Sequence, residues 1–215
     1  MNSTIMTIIE NVGLIAFAIS GAVVAARKDM DLFGINLMAL VTATGGGLIR
    51  DVIIDRIPPV MFINPWLTII TLVTANIAFV VMYLHKPVPK GISPVYDKLL
   101  FWLDTLGLAA FTVDGVFAGI YSDYSENLFL VAFLGVITGI GGGLLRDVLA
   151  DKIPYVLVKH VYAIACIAGA AVTVVLWKYT GSEPISSICG FSTIALLRFL
   201  AMHFEWNLPT VHLHE

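Results

Sequence analysis

Of the chain's 215 residues, 59% are hydrophobic and only 13% are charged, about half the charged share of an ordinary soluble domain, which excludes a water-soluble globular fold. A net charge of −3 with no basic run excludes a surface for nucleic acid. Cys166 and Cys189 both lie in apolar segments and read as small hydrophobes, which carry no information about redox compartment.

Met1-Asn2-Ser3-Thr4 lacks the basic n-region of a cleavable signal peptide, so the first apolar segment is expected to stay as a membrane helix. Seven segments have the length that crosses a bilayer core. In chain order they run from about Ile5 to Ala26, Phe33 to Ile54, Pro65 to Leu84, Leu99 to Ile120, Leu128 to Leu149, Lys159 to Trp177 and Pro184 to Met202. Short connections punctuated by Pro58-Pro59, Pro87, Pro89, Pro94, Pro154 and Gly181 separate them, leaving one transmembrane domain over residues 1–215. Arg27, Lys28, Lys86, Lys90, Lys98, Arg146, Lys152, Lys159 and Arg198 fall on one side, against Arg50, Arg56 and Lys178 on the other. The positive-inside rule then puts the C-terminus in the cytoplasm and the N-terminus outside. Lys86, Lys90 and Lys98 are expected to snorkel to anionic lipid headgroups.

The segment from Gly45 to Pro58 recurs from Gly141 to Pro154, with ten of fourteen positions identical at an offset of 96. Upstream the match continues at an offset of 94: Glu10 meets Asp104, Gly13-Leu14 meets Gly107-Leu108, Phe17 meets Phe111, Ser20 meets Asp114 and Gly21 meets Gly115. A two-residue insertion between Tyr121 and Glu126 reconciles the two offsets. Each copy holds three spans, an odd number, so the second enters the membrane inverted. The predicted fold is an all-α membrane protein of seven transmembrane helices. Repeat one covers about residues 5–84, repeat two about 99–177, and a seventh helix about 184–202.

Gly45, Gly46, Gly47 and their mates Gly141, Gly142, Gly143 carry the strongest signal. Glycine costs about 1 kcal/mol relative to alanine inside a helix, and three in a row invite a break whose freed carbonyls would favour a cation. The bland alternative is close helix packing, which also suits Gly21 with Ala25, Gly115 with Gly119 and Gly135 with Gly139. Arg50-Asp51 and Arg146-Asp147 follow the glycines. Intramembrane charges mark an ion or solute path by default, where the arginines would act as a gate or filter, with a structural ion pair and snorkelling at the membrane boundary as the rivals. Inversion sets Arg50 toward the outer face and Arg146 toward the cytoplasmic face, too far apart for Arg50 to reach Asp147. Arg50 and Asp51 are adjacent and should diverge around the helix, so each needs another partner. Asp55, Arg56, Asp151 and Lys152 are expected at the interfaces.

Asp114 lies mid-span, as a cation site or as a hydrogen-bonded structural acid. Thr42 and Thr138 precede the glycines and could line a path or bond back to their own helices. Glu10 and Asp104 are read as acids near helix N-termini. Arg198 is read as snorkelling inward, and His203, His212 and His214 as tail residues without a metal. No Walker A, H-E-x-x-H or G-x-S-x-G pattern occurs, so neither ATP-driven transport nor an enzyme is expected.

A duplicated Gly-Gly-Gly-x-x-Arg-Asp in a two-times-three-plus-one chain resembles the prokaryotic trimeric intracellular cation (TRIC) channels. The same bacterial sequences also go under a glycine-transporter-like family. The resemblance spans about Ile9 to Phe204. It implies a homotrimer in the inner membrane with one pore per protomer, permeable to monovalent cations, chiefly potassium, and lined by the two glycine-rich helices. The lysine-glutamate-valine motif that holds a phosphoinositide in animal relatives is absent, so that regulation is not implied. The function expected is a passive potassium-permeable channel without a cofactor. A secondary transporter of a small solute such as glycine is the alternative, and a structural membrane protein the third reading.

Overall fold

A computed structural model describes residues 4–84, 94–158 and 161–206. Lys86, Lys90, Lys159, His212 and His214 lie outside these residues. The helices are α1 (Thr4–Arg27), α2 (Leu32–Ile53), α3 (Val60–Ile63), α4 (Pro65–Leu84), α5 (Pro94–Ile120), α6 (Leu128–Leu149), α7 (Tyr155–Val158), α8 (Tyr162–Thr180) and α9 (Glu183–His203). Seven are long and apolar enough to cross a membrane: α1, α2, α4, α5, α6, α8 and α9. The one-turn helices α3 and α7 are additions that span length and periodicity do not announce.

Element for element, α1 to α4 are matched by α5 to α8, and even the caps repeat. Asp31 and Asn127, 96 positions apart, each accept the backbone N–H three residues on, from Gly34 at 2.8 Å and Leu130 at 3.0 Å. The central helices α1 and α5 are the most enclosed spans, and α4 is the least, presenting an almost wholly apolar outer face. Helices α2 and α6 cross each other against α1 and α5, and α9 packs on α8 and α5.

Small residues set these crossings. A Cβ at Gly21 would lie 2.6 Å from the Met38 carbonyl oxygen, and one at Gly115 would lie 2.5 Å from that of Leu134. Backbone cannot yield that far, so α1 on α2 and α5 on α6 approach at glycine distance. Gly169 and Gly190 bring α8 and α9 together against side chains, a Cβ at Gly169 falling 2.2 Å from Ile194 and one at Gly190 falling 1.9 Å from Thr173.

The glycine triplets overturn the expected break. Helix α2 runs unbroken through Gly45–Gly47, and α6 through Gly141–Gly143. The reason is the α2–α6 crossing. A Cβ at Gly46 would stand 2.1 Å from the Thr138 carbonyl oxygen, and one at Gly142 would stand 2.0 Å from that of Thr42. Dense packing there outweighs the helix cost of glycine, and no carbonyls are freed.

Candidate functional site

The two Arg-Asp pairs begin as helix-end devices. Helix α2 stops at Ile53, and Asp55 takes a left-handed φ of 54°; α6 stops at Leu149, and Asp151 does the same at 51°. Aspartate tolerates this conformation better than most residues. The chain reverses, so the Val60 N–H donates to Asp51 Oδ2 and the Tyr155 N–H to Asp147 Oδ2, both at 2.8 Å. Each aspartate thus ties down the one-turn helix that follows its span.

The other aspartate oxygen meets its neighbouring arginine. Arg50 Nε donates to Asp51 Oδ1 at 2.9 Å and Arg146 Nε to Asp147 Oδ1 at 2.8 Å. This corrects the expectation that adjacent residues diverge: the long arginine side chain folds back to a carboxylate that the returning loop already fixes.

The guanidinium head then reaches across to α5. Arg50 Nη1 donates to Asp114 Oδ2 at 2.5 Å. Arg146 grips Asp104 twice, Nη1 to Oδ1 at 2.5 Å and Nη2 to Oδ2 at 3.2 Å, and also donates to Ser20 Oγ. Ser20 donates in turn to Asp104 Oδ1 at 2.8 Å. Both arginines are buried, at 5% and 1% exposure, so without these charge-assisted bonds neither could stay charged in the span. The pairing corrects the reading of Asp104 as an N-terminal acid. It lies ten residues into α5 and is fully buried.

Inversion makes the two clusters equivalent. Arg50 faces Asp114 on α5 and shares a cavity with Glu10 on α1, while Arg146 faces Asp104 on α5 and Ser20 on α1. The exchange of chemistry between them is Asp114 for Ser20. The Arg50 cluster therefore sets three carboxylates, Glu10, Asp51 and Asp114, around one buried guanidinium, with the more exposed Arg56 3.9 Å from Asp51 at its edge, and the Arg146 cluster sets two. Arg50 and Arg146 remain in separate clusters.

Each cluster borders a cavity. The one beside Arg50 and Asp114 measures about 40 Å³ and takes in Gly47, Thr44 and Phe111. The one beside Arg146 and Asp104 measures about 250 Å³ and opens among Arg27, Asp97 and Lys152. At that end Arg27 pairs with Asp97 at 3.0 Å, and burial together with neighbouring cations holds the Lys152 amine below the usual lysine range. Between the cavities lie Gly46, Gly142, Thr42 and Thr138, all buried. The threonine hydroxyls bond back to Met38 and Leu134 carbonyls at 2.6 and 2.5 Å. Gly45, Gly141 and Gly143 are buried in the same helices. Arg198 is buried at 1% exposure, with its guanidinium 4.6 Å from both the Phe101 and Tyr162 ring centres. An inward direction for Arg198 is legible in the sequence, but this aromatic clasp is not, because its rings come from α5 and α8.

These features define a multi-pass membrane protein of inverted three-helix repeats, with a buried guanidinium–carboxylate cluster toward each end. A family model described as Glycine transporter matches residues 7–83 and again 101–178, and the chain belongs to this family. Among its relatives, the UPF0126 inner membrane protein YadS of Escherichia coli strain K12 is 36% identical over 209 residues, 96% of each chain. The UPF0126 membrane protein YvgT of Bacillus subtilis is 30% identical over 198 residues, 92% of each. The fold is that of the TRIC channels. The structure describing conductance through TRIC cation channels superimposes with a TM-score of 0.84 at 31% identity, covering 97% of this chain and 98% of that one. The trimeric intracellular cation channel orthologue from Rhodobacter sphaeroides gives 0.85 at 29%, covering 95% and 100%.

Proposed function

We propose that the chain is a cation channel of the inner membrane, chiefly potassium-permeable, with one path inside each protomer of a homotrimer and no cofactor. The observation that carries the reading is a pair of matched guanidinium–carboxylate clusters bordering cavities at opposite ends of one helix set, the Arg50 cavity holding Glu10, Asp51 and Asp114 against one guanidinium and the Arg146 cavity holding carboxylates and cations in equal number. At the Arg50 cavity a formal surplus of negative charge inside a low-dielectric wall concentrates cations and repels anions. The likeness to solved TRIC cation channels supports the same reading. Gly47, Asp114 and the two Arg-Asp pairs border the path, and the remaining glycines with Thr42 and Thr138 hold the helices that form it. The N-terminus faces outward and the C-terminus the cytoplasm, with Lys98 among the residues meeting anionic headgroups.

A secondary transporter of a small solute is the second reading, favoured by the unequal cavities, about 250 Å³ at one end and about 40 Å³ at the other. Inverted repeats that open one end at a time would look this way. Recording purified protein in a planar bilayer separates the two. Unitary ohmic currents in potassium chloride are expected, and saturable solute-dependent uptake without unitary events would replace the channel by the transporter.

A further inference from the structure

The layer between the two charged clusters is apolar and packed. Along α1 the order is Glu10, Leu14, Phe17, Ser20, and along the antiparallel α5 it is Asp114, Phe111, Leu108, Asp104. About ten residues of helix separate the charged levels on each member of this pair, about 15 Å of rise. Phe17 and Phe111, matched positions of the two repeats, meet in that interval with ring centres 5.3 Å apart. Phe17 is 0% and Phe111 7% exposed, and Leu14 and Leu108 close the layer at 2% and 0%.

Glycines seat the rings. A Cβ at Gly107 would fall 2.0 Å from the Phe17 ring, and one at the matched Gly13 would fall 3.4 Å from the Phe111 ring. A Cβ at Gly142, on the α2–α6 crossing, would lie 3.5 Å from Phe17. The aromatic pair thus rests on both helix pairs at once, with a cavity bordered by charged side chains on either side.

We propose that the Phe17–Phe111 pair is the apolar gate of the conduction path, and that a hydrated monovalent cation crosses only when the rings part. This rests on the channel reading. A cation leaving either cluster must cross a layer whose polar side chains, Thr42 and Thr138, are bonded back to their own helices and which offers no freed carbonyl to replace its water, and such constrictions close by dewetting. The carboxylates beside Arg50 draw cations into that cavity, and the ring pair sets how often one passes. Ordinary core packing would make the same rings matter for stability and leave flux alone.

The test is potassium current from the purified full-length chain in planar bilayers. Wild type is compared with Phe17→Ala, Phe111→Ala, and the milder Phe17→Leu and Phe111→Leu, each checked for folding by thermal unfolding in detergent. Thinning the layer should raise the time-averaged current about tenfold in the alanine variants and less in the leucine variants, a dewetting barrier lowered by one factor of ten. Where an alanine variant does not fold, its leucine counterpart decides. Wild-type currents with folded variants equal to or below them would overturn the gate and leave the channel standing. Silence from wild type and every folded variant would overturn both. Silent wild type with conducting variants supports both.

Discussion

Asp104 and Asp114 occupy the same helix and hold equivalent arginines, yet their surroundings differ. Asp104 is buried, takes two bonds from Arg146 and a third from Ser20, while Asp114 keeps a side-chain exposure of 19% and takes one bond from Arg50. Removing the Asp104 charge takes both of its bonds from an almost fully buried guanidinium and leaves it Asp147 alone, at a cost of about 3–5 kcal/mol. Losing one charge-assisted bond at a wetter site, where Arg50 still has Asp51, costs about 1.5–3 kcal/mol. Asp104→Asn should therefore lower the detergent unfolding temperature more than Asp114→Asn, and equal losses would refute the asymmetry. In the same proteins Asp114→Asn should change potassium conductance or selectivity; unchanged values would remove Asp114 from the path. The repeat makes Asp114 and its mate Ser20 visible in the sequence. Their arginine partners are not visible there, because the pairing depends on how α5 packs against α2 and α6, which no local spacing encodes.

At the scale of elements, the repeated fourteen residues encode two separable things. The middle glycine makes the α2–α6 crossing, and the Arg-Asp followed by a left-handed aspartate ends the helix and captures the returning chain. Gly46→Ala and Gly142→Ala would push a methyl into a backbone carbonyl, an overpacking cost of about 1–3 kcal/mol. At Gly47 the nearest atom to an added Cβ is the far end of the Arg50 side chain at 3.8 Å. Gly47→Ala should therefore be neutral or, through helix propensity, up to about 1 kcal/mol stabilising. Thermal unfolding of the three variants checks this; equal destabilisation would mean that the triplet acts as a unit after all. Composition places the seven spans well because span length is a local property. Helix continuity through the triplet is misread from sequence because propensity weighs glycine by its own cost, whereas the crossing it permits belongs to another helix 96 residues away. The short helices α3 and α7 escape notice for a related reason. Their first N–H groups are held by Asp51 and Asp147 from the preceding spans, not by a cap of their own.

For the whole molecule, charge and cavity shape point the same way. The wider cavity opens among Arg27, Asp97 and Lys152, the end also holding Lys28 and Lys98, while the narrow one lies at the end of Arg56. If the positive-inside bias sets the orientation, the wide vestibule faces the cytoplasm and cations reach the Arg146 cluster from inside more easily than the Arg50 cluster from outside. The orientation is testable with the chain's own cysteines, since Cys166 is buried and only the half-buried Cys189 needs replacing by serine. In that background, Lys152→Cys and Arg56→Cys place a thiol at each end. A membrane-impermeant maleimide applied to intact cells should label the Arg56→Cys protein, and should label Lys152→Cys only after the membrane is opened. The reverse pattern would invert the chain and turn the wide vestibule outward. Labelling of both in intact cells would mean that the protein inserts in two orientations.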